Sequence, residues 1–260
     1  MDRDIQIQGY EIIVIQSLKN SDRKTGEELY NDILRYKPYT RNDVYTKFFN
    51  VCNRIEFKEV LVKIENGTPS NHIITLHFET HGCIDGIELE SKELITWEEL
   101  FSLLRPINIK LSNLLMVVMS MCKGAAISSH LEPNLRCPFR AFVGFENNMN
   151  ENDLLDAYCV FYESYNNMLD VFDALRRTNS ILPKDSQAWL LTAEKIFDSV
   201  LNPDTNPKSF SMVIDANYNG FNNHGEPVSK EQFEEEVRQY FIKTANEYRA
   251  YYNFKDLKDM

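Results

Sequence analysis

The sequence predicts an α/β sandwich built around a mostly parallel sheet. Three observations carry that expectation. Strand-like and helix-like segments alternate along the chain, the order that builds parallel strands joined by crossover helices. Tyr10-Glu11-Ile12-Ile13-Val14-Ile15-Gln16 is short, apolar and β-branched, as a buried strand should be. Leu114 to Ser120 is apolar without alternation, which suggests burial on both faces at the centre of such a sheet.

The remaining elements follow in chain order. After a polar loop from Lys19 to Lys24, Thr25-Gly26-Glu27-Glu28 has the pattern of a capping box opening a helix. Leu29, Tyr30, Ile33 and Leu34 share one face of that helix, and Pro38 should stop it. A second helical stretch is expected after Thr40, with Val44, Phe48 and Val51 on one side. Phe57 to Glu65 alternates apolar and polar residues and reads as a half-exposed strand. Ile73 to Thr80 is a further strand, ending in His81-Gly82, and Cys83 to Glu90 suggests a hairpin around Asp85-Gly86. Thr96-Trp97-Glu98-Glu99 opens a helix that Pro106 should end. Phe139 to Phe145 is another strand, and one long helix is expected from Asn152 to Thr178. Beyond it, Asp185 to Leu201 reads as helix, Ser211 to Ile214 as a late strand, and Ser229-Lys230-Glu231-Gln232 as the capping box of a last helix.

Composition narrows the function. The 260 residues carry 28 Lys plus Arg against 39 Asp plus Glu, a net charge of −11, which disfavours direct binding to a phosphate backbone. No nucleic-acid partner is expected. Hydrophobic residues make up 43%, near the globular average, so the chain can bury a core. The longest apolar run, Leu114 to Met119, falls far short of a membrane span, and the first residues lack a signal-peptide pattern. The five cysteines, Cys52, Cys83, Cys122, Cys137 and Cys159, show no CxxC pairing and suit a reducing compartment. A cytoplasmic protein without membrane contact is the expectation.

In an open parallel sheet, ligands bind beyond the carboxyl ends of the strands. Two such ends carry chemistry here. One delivers His81-Gly82 and the other Cys122, a thiol and an imidazole of the kind nucleophilic catalysis requires. The backbone N–H groups of Gly82 and Cys122 could form an oxyanion hole. The competing reading is that Cys122 is a small core residue. Cys137 lies before Pro138, Cys159 falls within a helix, and His130 and His224 are loop residues without metal-ligand spacing.

These residues resemble the caspase-like cysteine peptidases of clan CD. An apolar strand ending in His81-Gly82, a helix, and an apolar strand ending in Cys122 follow that family's order. Cys122-Lys123-Gly124 is similar to the Cys-Arg-Gly of caspases and to the corresponding region of the CHAT proteins. Ala141 to Phe145, Phe161-Tyr162-Glu163-Ser164-Tyr165 and Asp173-Ala174-Leu175-Arg176 resemble successive CHAT elements. Two positions depart from that pattern: no tryptophan follows Phe145, and Met121 stands where a small residue is usual.

The resemblance implies a caspase-like three-layer sandwich with helices on both faces. Its peptidase core would span residues 1–182, with a C-terminal helical extension over 183–260 packing on the same domain. It implies Cys122 as nucleophile and His81 as general acid/base, with no metal and no cofactor. In this family the two side chains need not form a tight resting pair. Asp85, Glu88 or Glu146 could select a basic substrate residue. A preference for Asp would instead need arginines, and Arg136 and Arg140 are near enough in sequence to consider. The implied substrate is a protein or peptide, and the implied activator is a regulatory protein partner, in keeping with the bacterial defence and cell-death roles of relatives. Residues Lys123 to Pro138 form a candidate mobile loop. The alternative is a silent caspase-like interaction module, which the aromatic C-terminal helix (Tyr240, Phe241, Tyr248, Tyr251, Tyr252, Phe254) would serve.

Overall fold

The computed structural model describes residues 6–132, 134–168, 170–201, 203–204, 207–222 and 225–256. The elements are β1 (Gly9–Ser17), α1 (Thr25–Asp32), α2 (Lys37–Thr40), β2 (Val44–Asn50), α3 (Arg54–Gly67), β3 (His72–Cys83), β4 (Gly86–Glu88), β5 (Leu94–Thr96), α4 (Trp97–Lys110), β6 (Leu115–Ser120), β7 (Ala141–Phe145), α5 (Glu151–Met168), α6 (Val171–Ile181), β8 (Ala188–Thr192), α7 (Ala193–Leu201), α8 (Pro207–Asn217) and α9 (Lys230–Tyr252). The sheet order is β2-β1-β3-β6-β7-β8. Neighbours are parallel except the last pair, β7 and β8. Beyond the main ladder, β3 continues into an antiparallel hairpin with β4, which pairs in turn with β5.

Helices cover both faces. On one, Leu29 of α1 and Leu154, Tyr158, Phe161 and Tyr162 of α5 pack with Ile12, Val14, Val118 and Val143. On the other, Phe57 of α3 meets Phe78 at 5.9 Å between ring centroids, and α4 lies beside α3. All six residues of β6 are buried, as its unbroken apolar run requires.

The chain divides into two compact units. The larger runs to Leu131 and resumes over Cys137–Thr192; the smaller takes Glu132–Arg136 and the chain from Ala193 on. In the smaller unit, Phe210, Ile214 and Phe233 form a core with Tyr218, Val237 and Phe241, and Phe197 packs on Tyr252 at 5.0 Å.

Several elements differ from the sequence expectation, each for a physical reason. Residues 44–50 form strand β2, not a helix: it pairs with β1 from Tyr10↔Val44 to Gln16↔Asn50. Its apolar positions fit both periodicities, and ladder hydrogen bonds decide. Residues 54–67 form helix α3, not a strand. Asn53 caps it by accepting from the N–H groups of Ile55 and Glu56, and Phe57, Leu61 and Ile64 bury one face. Pro38 sits in the first turn of α2, where no donor is needed, and Pro106 lies inside α4, which the burial of Leu100, Phe101, Leu104 and Ile107 holds together. The expected long helix is two, because Asp170 caps α6 by accepting from Phe172 and Asp173. Residues 188–192 are strand β8, and residues 211–214 lie inside helix α8. Thr25 opens α1 without a capping box; its hydroxyl donates to Glu79 instead. The caps at Thr96 and Ser229 are formed, the latter as a full capping box with Gln232.

Candidate active site

β3 and β6 are parallel neighbours, in register from Ile74↔Leu115 to Glu79↔Ser120. Their carboxyl ends therefore emerge side by side, carrying His81-Gly82 and Cys122. The two ends touch. A methyl group placed on Gly82 would lie 2.2 Å from the Cys122 carbonyl oxygen and 2.9 Å from Cγ and Sδ of Met121. Only a residue without a side chain permits this approach. Met121 is buried, and the Thr80 hydroxyl contacts its sulfur at 3.7 Å. Immediately after Cys122 the chain turns through Lys123, which holds a left-handed φ of 59°, into the 3-10 turns of Gly124–His130. The Cys122 thiol is half-buried and lies 3.9 Å from the Met149 carbonyl, ahead of α5.

The imidazole of His81 is 49% exposed, and its Nε2 lies 2.8 Å from Oδ2 of Asp22. Asp22 belongs to the β1–α1 loop, and the bond to His81 is the main cause holding its carboxyl below the usual aspartate range. Glu88 is the cross-strand neighbour of His81 in the β3–β4 hairpin. Its carboxylate pairs with Lys19 at 2.6 Å, which holds it below the usual glutamate range. The β1–α1 loop is thus tied to the hairpin twice, by Asp22 to His81 and by Lys19 to Glu88. Such partly exposed pairs add little stability and act mainly by position.

Behind His81, the same face of β3 carries a buried polar row. His77 Nδ1 lies 3.0 Å from the Tyr162 hydroxyl, its Nε2 lies 3.1 Å from Glu79 Oε1, and the Thr25 hydroxyl donates to Glu79 Oε2 at 2.8 Å. The ring of His77 stands edge-on to Tyr158 at 4.8 Å. This row joins α1 and α5 to β3 and fixes the strand that presents His81.

The other sequence candidates fall as follows. Asp85 is exposed in the turn between β3 and β4, where its carbonyl accepts from the Trp97 N–H at 3.2 Å. Glu146 is exposed just past β7, at the same carboxyl edge. Neither arginine considered for an Asp preference suits that role. Arg136 has a 12% exposed side chain gripped by Asp256 and stacked on Tyr251 and Phe254. Arg140 precedes β7, at the amino edge of the parallel strands and away from the site. The thiol of Cys159 is pushed up to about 11, chiefly by burial, and that of Cys52 is raised by a hydrogen bond to Glu90, so both are held as thiols. Cys137 is buried and bonds to the Phe139 carbonyl. His130 pairs with Glu98 at 2.9 Å, and His224 lies outside the described residues. No group of His, Cys, Asp and Glu among the described residues is arranged to hold a metal, and no described helix is long and apolar enough to cross a membrane.

Sequence reasoning missed Asp22. Its contact with His81 joins segments far apart in the chain, so no local motif marks it. The one available signal was its place in the loop at the carboxyl end of β1, the edge where parallel sheets build sites.

Comparison with known proteins bears on the architecture. No family model and no curated protein matches the sequence. Among solved structures the chain is similar to the Drosophila initiator caspase Dronc, with a TM-score of 0.54 over 74% of this chain and 82% of that one. The fold is caspase-like. At 10% identity the likeness concerns the fold alone. The caspase-like unit here places His81, Gly82 and Cys122 at the ends of adjacent strands.

Proposed function

We propose that this chain is a cysteine endopeptidase in which Cys122 is the nucleophile and His81 the general acid/base. The observation that carries the reading is the meeting of two strand ends, with Gly82 packed on the Cys122 carbonyl and His81 beside it. The Cys122 sulfur attacks a peptide carbonyl carbon, and its proton passes to His81. The backbone N–H groups of Gly82 and Cys122 hold the resulting oxyanion. His81 then protonates the departing amine, leaving a thioester on Cys122. Water, deprotonated by His81, attacks the thioester and returns the free thiol. No cofactor enters this sequence.

Asp85 and Glu146 offer exposed carboxylates at this edge, which favours a basic substrate residue, and Glu88 joins them only where the substrate cation replaces Lys19. Kinship with the CHAT group, control by a protein partner acting through residues 123–138, cytoplasmic residence and a place in bacterial defence rest on the sequence resemblance. Digestion of a peptide library, read by mass spectrometry, tests the activity. Cleavage after Lys or Arg, lost in Cys122→Ala and in His81→Ala, supports it. A product pattern identical to that of Cys122→Ala overturns it and leaves the interaction module.

A further inference from the structure

The β1–α1 loop holds a carboxylate against His81 with more structure than a chance surface pair would need. Oδ2 of Asp22, 2.8 Å from His81 Nε2, also accepts the backbone N–H of Lys19 at 2.9 Å. The Ser21 hydroxyl lies 3.2 Å from Oδ1, and the Asp22 N–H closes a turn onto the Lys19 carbonyl at 2.9 Å. Lys24 stiffens the same loop by donating to the carbonyls of Leu18 and Lys19 at 2.6 and 2.7 Å. Arg23 ties the loop to Glu28 and to Asn152 of α5. The Asp22 side chain is only 23% exposed, although every residue from Lys19 to Lys24 is polar.

An ionised carboxylate accepts hydrogen bonds and donates none. The imidazole nitrogen facing Asp22 must therefore carry the proton, and in the neutral ring the lone pair lies on Nδ1. A free imidazole exchanges tautomers, and its ring turns; a fixed acceptor stops both. We propose that Asp22 is the positioning residue of His81: it fixes the Nε2–H tautomer and leaves Nδ1 as the atom that exchanges a proton with Cys122 and the leaving amine. This deepens the peptidase reading and rests on it. Asp22 orients the base and does not itself touch the reacting atoms. Glu88, the other carboxylate beside the imidazole, is engaged by Lys19.

Nitrogen NMR of the full chain with labelled histidines reads the tautomer directly in the wild type. The Nε2–H form of His81 is expected, and the Nδ1–H form overturns the proposal whether or not any variant folds. In Asp22→Asn the amide can donate to Nε2, so the Nδ1–H form should grow. Alkylation of Cys122 by iodoacetamide should slow by about 10-fold or more, the least that losing the outer partner of an oriented imidazole costs at metal sites, and Asp22→Glu should recover much of it. Slower labelling in His81→Ala but not in Asp22→Asn overturns the role of Asp22 alone. Labelling indifferent to both substitutions overturns the Cys–His reading, and the proposal with it.

Discussion

Replacing Gly82 by Ala tests the closest approach in the site. The added methyl would sit 2.2 Å from the backbone oxygen of Cys122, whereas ordinary contact begins near 3.4 Å. The ends of β3 and β6 must then part by about 1.2 Å, since neither atom is the far end of a flexible side chain. Overpacking of this kind costs about 1–3 kcal/mol. For a chain of this size that lowers Tm by about 2–12 °C. The same displacement moves the thiol relative to the imidazole, and a shift of about 1 Å at reacting groups can slow chemistry by about 100-fold. Differential scanning calorimetry and the rate of Cys122 alkylation measure the two effects. Gly67→Ala is the control: it ends α3, nothing lies within 4 Å of the new methyl, and it should be neutral or stabilising by up to about 1 kcal/mol. If Gly82→Ala melts and labels as the wild type does, the packing of the two strand ends does not position the thiol and the steric argument is wrong.

Three further outcomes are expected. Tyr162→Phe removes the hydroxyl partner of buried His77 and should cost about 1–3 kcal/mol in urea denaturation; unchanged stability would show that the polar row contributes nothing. Because its bond to His81 holds the Asp22 carboxyl lower in the folded chain, the contribution of ionised Asp22 is fully present above about pH 4 and is lost as pH falls through the depressed value. The Tm gap between wild type and Asp22→Asn should therefore narrow as pH drops below about 4, and a gap that widens there has the wrong sign. Asp256→Asn keeps the rings on Arg136 but removes its carboxylate partner, so amides around Arg136 should exchange about 5-fold faster, the factor for about 1 kcal/mol; equal exchange would mean that the guanidinium is held without the carboxylate, by contacts such as the rings and the Tyr251 carbonyl.

The sequence made the centre of this fold legible and left its edges obscure. β1 and β6 announce themselves because buried parallel strands are short, apolar and rich in β-branched residues. The strand ends bearing His81-Gly82 and Cys122 could be placed together because parallel order brings carboxyl ends to one edge. The edge strand β2 and the helix α3 exchange identities in a sequence reading. Val44, Phe48 and Val51 lie at spacings that a helix would also give, and Phe57, Leu61 and Ile64 sit among residues that happen to alternate. Asp170 and β8 escape notice because apolar continuity hides a cap and a short strand. Within the site, the nearness of His81-Gly82 to Cys122 was legible from their place at the ends of two parallel strands. Asp22 and Lys19 were not, because their contacts with His81 and Glu88 exist only once β1 and β3 lie side by side. Arg136 misleads for the same reason: its sequence neighbourhood suggests the site, while Asp256, Tyr251 and Phe254 claim its guanidinium.

The central claim is that His81 activates the thiol of Cys122. The most direct measurement is the second-order alkylation rate of each cysteine in the native chain, read peptide by peptide by mass spectrometry, in wild type and in His81→Ala. Cys122 should react faster than Cys52 and Cys159, whose thiols are held protonated, and its advantage should disappear in His81→Ala while the other rates stay unchanged. A Cys122 rate that is the same with and without His81 would contradict the account.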